Sequence, residues 1–191
     1  TKLLKKLDNV NGVEHYRLLY LYPSEITDDF IKFMKNSKKF YHYFDIPLQH
    51  ADETILKLMN RKGSHANTVK ILKKIKKEIP DAIFRTTFMV GFPGETNKSF
   101  KTLIDFVNEF KFDHIGAFAY SREANTKAYS LPNQVNEKTK NERLGVLMKA
   151  QKKISLAKNK SHIGETITGL YLGINDDTGY QQFLTKYNCF Y

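Results

Sequence analysis

Cysteine is nearly absent from this chain of 191 residues: Cys189 is the only one, and there is no tryptophan. A lone thiol excludes a disulfide framework within the chain and suits a reducing compartment, so a cytoplasmic protein is expected. Long apolar runs are missing as well. Nowhere is there an apolar stretch of about 18 residues, and the opening TKLLKKLDNVNG has none of useful length, so neither a membrane span nor a signal peptide is expected and the protein should be soluble. Acidic residues are scarce, 20 against 31 lysines and arginines, for a net charge of +11. That balance favours a polyanionic neighbour, nucleic acid or a ribonucleoprotein ahead of a membrane surface, although lysines set beside Asn and Ile also fit a general compositional bias. An initial methionine is lacking too. The chain opens on a helix-like phrase with Leu3, Leu4 and Leu7 on one face, stopped by Asn9, Asn11 and Gly12, as expected for a piece of a longer protein.

What is present is a core-forming alternation of strands and helices, with 41% hydrophobic residues. YRLLYLYP (16–23) reads as a buried strand closed by Pro23. SEITDDFIKFMKN follows as a helix with Ser24 as N-cap and Ile26, Phe30, Phe33 and Met34 inward. YFDIPLQH (43–50) is a strand with Pro47 near its end, because proline cannot donate to a central ladder. Residues 51–60 and 65–79 are helical, the second with Val69, Leu72, Ile75 and Ile79 at helical spacing. AIFRTTFMVG, then a helix over 96–110, a strand over 114–120 and a long basic amphipathic helix over 136–160 complete the series. Strands separated by single helices imply right-handed crossovers and a parallel sheet, hence an α/β fold. After Gly164 the texture changes: ETITGLYLG alternates polar and apolar residues, and NDDTG (175–179) signals a hairpin, so a small β module begins there and cannot finish in the residues that remain.

Ligands of parallel α/β sheets bind at the carboxyl ends of the strands, so three strand ends are candidate sites. In VGFPGE, Gly91 and Gly94 allow close backbone approach, Pro93 stiffens the turn, and Glu95 offers acceptors or complements the dipole of the next helix. In PLQH, Gln49 can donate and accept, which suits an amino-acid-like or nucleoside ligand, while His50 is a base, a ligand or a satisfied surface group. Arg85 lies early in an apolar strand and needs an anionic partner, either a structural Asp or Glu or a ligand carboxylate. In YSREANT, Arg122 and Glu123 read as an exposed pair or as substrate contacts. The lysines at 70, 73, 74, 76 and 77 read as a solvated helix face.

The order YFDIPLQHADETILKLMNRKG, FRTTFMVGFPGET, FDHIGAFAYSREANTKAYSLPNQV and QKKIS closely resembles the radical-SAM methylthiotransferases over residues 13 to 179. Within them it is most similar to the branch that methylthiolates an aspartate of protein twelve of the small ribosomal subunit. The resemblance implies that residues 1–160 are the C-terminal part of a radical-SAM (βα) partial barrel and that 161–191 begin a TRAM-like β domain. It implies S-adenosylmethionine as cofactor, with Gln49 and Arg85 near its amino and carboxylate groups, the turn of Gly91, Phe92, Pro93, Gly94 and Glu95 walling it, and Phe118 or Tyr120 on the adenine side. It implies two [4Fe-4S] clusters in the parent enzyme, and hydrogen abstraction from an aspartate β-carbon by a 5′-deoxyadenosyl radical before a methylthio group is added. The implied partner is a small-subunit ribosomal protein or the ribosome, with RNA contact through the basic helix and the β module.

The chain departs from the family at its cysteines. A radical-SAM cluster needs thiolates in a CxxxCxxC loop, and this chain has only Cys189, near the wrong end. The chain alone is therefore expected to hold neither cluster and to be inactive. The ending YQQFLTKYNCFY also departs from the TRAM pattern. The tRNA-modifying branch tends to have Ser-Gly after the glutamine and a Pro-Arg-Pro-Gly-like run after Tyr-Ser, where His50-Ala51 and Arg122-Glu123 stand here. That branch, or a non-catalytic RNA- or ribosome-binding fragment, is the alternative reading.

Overall fold

The expected alternation is realised, and five α-helices in the interior of the chain start on a side-chain oxygen. A computed structural model describes residues 1–185. Thr27, Asp52, Ser64, Thr96 and Asn136 accept backbone N–H bonds at the starts of α2 (Asp28–Asn36), α3 (Glu53–Leu58), α4 (His65–Glu78), α5 (Asn97–Phe110) and α6 (Glu137–Ser161). Each such cap contributes about 1 kcal/mol. The cap of α2 corrects the sequence reading: Ser24 sits in a single 3-10 turn with Pro23 and Glu25, and the helix starts after Thr27. A short α1 (Lys2–Asp8) precedes them.

Four parallel strands, β1 (Tyr16–Leu18), β2 (Phe40–Asp45), β3 (Ile83–Val90) and β4 (His114–Ala119), lie in sequential order. Sequential parallel strands joined by crossovers of one hand place their helices on one face of the sheet. That face carries Phe44, Phe84, Phe88, Val90 and Ile115, packed with Met34, Leu72, Ile75, Leu103, Val107 and Leu147 from the helices. Two strands differ from their expected extents. The first stops at Leu18 because Tyr20 takes positive φ (59°) and turns its N–H onto the Asp45 carboxylate. The second begins at Phe40 and ends at Asp45, two residues ahead of Pro47; Ile46 N still donates to Arg85 O, and past the proline Gln49 bridges to Phe88.

After α6, β5 (Gly169–Ile174) and β6 (Gln181–Thr185) form an antiparallel hairpin. The NDDTG signal closes it: Gly179 N donates to Asn175 O, and the Asn175 side chain accepts from Asp177 N and Thr178 N. Cys189 and the atypical ending after Thr185 lie outside the described residues.

Candidate functional site

Strand alternation puts Tyr43 and Asp45, then Ile83, Arg85, Thr87 and Met89, then His114, Gly116 and Phe118 on the sheet face opposite the aromatic core, because paired residues share a face. Arg85 finds its anion there. Its Nη1 donates to Asp45 Oδ1 at 2.8 Å, Asp45 is buried, and Tyr20 N donates to Asp45 Oδ2 at 3.2 Å. The bond to Asp45 holds the Arg85 guanidinium above its usual pKa. Arg85 still keeps 37% of its side chain exposed, and a Cβ on Gly116 would meet its Nη2 at 3.7 Å, so the guanidinium extends over Gly116 on the open face. Arg17 lies over the Tyr43 ring at 4.9 Å, and burial pushes the Tyr43 hydroxyl pKa upward.

At the carboxyl ends of the strands, Gln49 is held by two backbone bonds to β3, donating to Thr87 O and accepting from Met89 N, both at 2.8 Å. Its φ of 69° is left-handed, a conformation that a residue with a Cβ keeps only where its surroundings impose it. Its Oε1 is buried with no hydrogen-bond partner, and so is the Oη of Tyr120, which follows β4. A buried acceptor without a partner costs about 1 to 3 kcal/mol, so such an atom calls for water or a ligand group; Gln151 Oε1 on α6 is a third, away from the strand ends. Phe118 stands on the same open face and is 42% exposed.

The turn between β3 and α5 is buried, and its parts face the protein. Gly91 has φ 72°, and a Cβ there would sit 2.3 Å from Lys140 Cγ. Phe92 packs edge-on to Tyr120 at 5.2 Å in a small cluster with Ile55. Pro93 is buried, and Gly94 donates from N to Asn133 O at 2.9 Å. The Glu95 carboxylate is fully buried between two bases. Arg143 Nη1 donates to its Oε1 at 2.7 Å and to its backbone O at 3.0 Å, and His50 Nε2 meets its Oε2 at 3.1 Å. Asp52 N donates to His50 Nδ1 at 2.9 Å, which puts the imidazole proton on Nε2, directed at Glu95. Glu95 thus belongs to a clamp joining the PLQH segment, the GFPGE turn and α6. Arg122 and Glu123 do not meet as a pair: Arg122 stacks on Tyr129 at 4.4 Å and donates to its carbonyl, while Glu123 accepts from Ser121. Of the lysine stripe, Lys73 pairs with Glu109 and Lys74 with Asp28 at the surface.

Sequence reasoning named Gln49, Arg85, Glu95, Phe118 and Tyr120 and missed Asp45, Lys140 and Arg143. Strand alternation marks Asp45 as the neighbour of Arg85 on the open face. Lys140, Arg143, Leu147 and Gln151 form the buried stripe of α6 at helical spacing, and the two cations hide it from any apolar pattern.

The sequence profile of the Radical SAM superfamily matches residues 2–107. The chain belongs to that superfamily. Coproporphyrinogen III oxidase HemN of Escherichia coli, described as a radical SAM enzyme, shares the fold with a TM-score of 0.58 at 19% identity, over 78% of this chain and 35% of that one. Proteins named ribosomal protein uS12 methylthiotransferase RimO are similar along nearly the whole chain. The one from Bdellovibrio bacteriovorus is 43% identical over 93% of this chain and 39% of its own length, and the one from Clostridioides difficile 48% identical over 87% and 37%. The chain therefore spans about two fifths of the length of these relatives.

The superfamily implies S-adenosylmethionine and an iron–sulfur cluster, and the residues fit them unequally. An unpartnered acceptor at Gln49, an unpartnered hydroxyl at Tyr120, an exposed aromatic ring and a half-open guanidinium suit an amino-acid nucleoside. A cluster does not fit, because its thiolates are not in a sequence with one cysteine. Among the described residues no helix is long and apolar enough to cross a membrane.

Proposed function

We propose that this chain supplies the second half of the barrel, over residues 1–160, and the first strands of a TRAM-like module, over 161–191, in a longer radical-SAM methylthiotransferase that modifies an aspartate of a small-subunit ribosomal protein. The observation that carries the substrate is the similarity, above 40% identity and nearly end to end, to proteins named for that reaction. Support for the cofactor comes from two of the three buried side-chain atoms without partners among the described residues, Gln49 Oε1 and Tyr120 Oη, which both lie at the strand ends.

In this reading Gln49 Oε1 accepts from the ammonium or another N–H group of S-adenosylmethionine, the exposed edge of Arg85 faces its carboxylate, and Phe118 and Tyr120 offer ring and hydroxyl to the adenine. The Gly91 to Glu95 turn sets the height of that wall. The cofactor, with the clusters held elsewhere in the parent enzyme, supplies radical and methyl-transfer chemistry. The residues of this chain bind and orient, and the chain alone performs no turnover. The partner is the ribosomal protein or the ribosome, and the exposed lysines of α6 supply RNA contact. Arg122 and Glu123, exposed beyond β4, stand where a substrate segment could touch them.

The test is mass spectrometry of the ribosomal protein and of tRNA from a strain lacking the full gene. Loss of a methylthio mass increment on one ribosomal-protein aspartate, with tRNA unaltered, is expected. Loss of the tRNA modification alone overturns the substrate in favour of the tRNA branch, and no change in either favours a non-catalytic ribosome-binding fragment, a reading supported by the single cysteine.

A further inference from the structure

Gln49 is the least comfortable residue of the site and one of the best anchored. It holds positive φ, it sends both backbone groups to β3, and its neighbour His50 is buried with both ring nitrogens engaged. His50 reaches Glu95, and Glu95 reaches Arg143 at the first turns of α6. Both Nη atoms of Arg143 are engaged: Nη1 donates to the carboxylate and the carbonyl of Glu95, and Nη2 to Asn97 Oδ1 at 2.9 Å at the start of α5. The guanidinium side chain is 8% exposed and the carboxylate and imidazole are 0% exposed, so water cannot replace any of these bonds without opening the core. The only charge balancing Glu95 in this clamp is Arg143, because His50 accepts from Asp52 N and carries its single proton toward Glu95.

We infer that Arg143, acting through Glu95 and His50, is a positioning residue that holds Gln49 in its left-handed conformation with Oε1 turned to the ligand. Arg143 lies outside the strand-end motifs, and its hydrogen bonds go to Glu95 and Asn97 rather than to Gln49. Its influence passes through two buried side chains to the backbone of residue 49. A residue with a Cβ leaves positive φ when its flanking anchor loosens, and its side chain then leaves the ligand. The Glu95 carboxylate is turned away from the ligand in this arrangement, since it is fully buried and bonded to Arg143 and His50.

This inference rests on the reading of Gln49 as a ligand contact, and a double-mutant cycle separates the two. S-adenosylhomocysteine, which is not cleaved, is titrated by calorimetry into the full-length enzyme as wild type, Gln49→Ala, Arg143→Met and the double variant, well below each melting temperature. The expected result is that Arg143→Met weakens binding about tenfold in the wild-type background and less than about twofold once Gln49 is alanine. A merely structural Arg143 lowers the melting temperature but changes affinity by the same factor in both backgrounds, or not at all, and either outcome overturns the inference while leaving Gln49 as a contact. If Gln49→Ala itself leaves affinity unchanged, the ligand reading falls and the inference with it. Should Arg143→Met not fold, Arg143→Lys runs the same cycle: it keeps the charge but cannot reach Glu95 and Asn97 together, and a loss that disappears with Gln49→Ala is again required.

Discussion

Gly91→Ala separates two reasons for the glycine in GFPGE. One is room for a ligand; the other, visible in the fold, is room for α6. The new Cβ would lie 2.3 Å from Lys140 Cγ, 3.2 Å from its Cδ and 3.1 Å from its Cβ, at a φ of 72°. The left-handed conformation costs alanine about 1 to 2 kcal/mol. The clash falls on the stem of a lysine side chain that is only 3% exposed and whose Nζ sits 5.2 Å from the Tyr120 ring, so it cannot swing into water without uncovering that ring. Overpacking of this kind costs about 1 to 3 kcal/mol more. The sum is about 2 to 5 kcal/mol, and for a domain of this size each kcal/mol lowers the melting temperature by roughly 2 to 4 °C. Urea unfolding of the chain followed by far-UV circular dichroism measures it. In a Lys140→Ala background the contacts to Cγ and Cδ vanish and only a 3.1 Å approach to Cβ remains, so the same substitution should cost about 1 to 2 kcal/mol there. An equal cost in the two backgrounds, or a loss under about 0.5 kcal/mol in the first, would refute the packing argument and return Gly91 to the ligand.

Arg85→Ala removes the cation paired with the buried Asp45 carboxylate and leaves the bond from Tyr20 N, and because Arg85 is partly exposed the expected loss is about 1 to 3 kcal/mol of stability, partly recovered in Arg85→Ala/Asp45→Asn. Unchanged stability of the single variant would show that the pair is not what holds Arg85. Alkaline pH tests Tyr16, whose pKa is raised to about 12 by burial and by its bond to Asp8. Between the unfolded value near 10 and the folded value the native state binds the extra proton, so stability present below pH 10 is lost as pH rises toward 12, and wild type should lose stability more steeply there than Tyr16→Phe. Parallel pH profiles would contradict that assignment. Anaerobic reconstitution of the chain with iron and sulfide should give no stoichiometric cluster absorption, and dithionite with S-adenosylmethionine no 5′-deoxyadenosine, because one cysteine cannot hold a four-iron cluster. Turnover by the chain would refute this.

The sheet and its helices were legible because they obey local rules. Apolar period marks α4, and the NDDTG turn marks the β5–β6 hairpin. The site was legible only where an unusual residue interrupts a strand, as at Arg85 and at the PLQH and GFPGE ends. Its other half is fixed by contacts between distant parts of the chain. Asp45 and Arg85 are 40 residues apart in sequence, and Glu95 and Arg143 are 48.

His50 and Glu95 show why residue type alone misleads at such a place. A carboxylate opening a helix reads as a dipole partner, and a lone histidine as a surface group, because either is cheap when exposed. Buried together they cost far more than the dipole returns, and only a third group with a fixed positive charge makes the burial tolerable. That group arrives from α6, whose inward stripe is Lys140, Arg143, Leu147 and Gln151. A helix that reads as basic and amphipathic thus turns two of its cations inward, one over Gly91 and Tyr120 and one onto Glu95. The basic stretch of the sequence is therefore divided between two jobs. Its exposed lysines face solvent, where RNA contact is proposed for them, and Lys140 and Arg143 are taken by the strand ends, so neutralising Arg143 should disturb the proposed ligand end of the sheet before it disturbs any such contact.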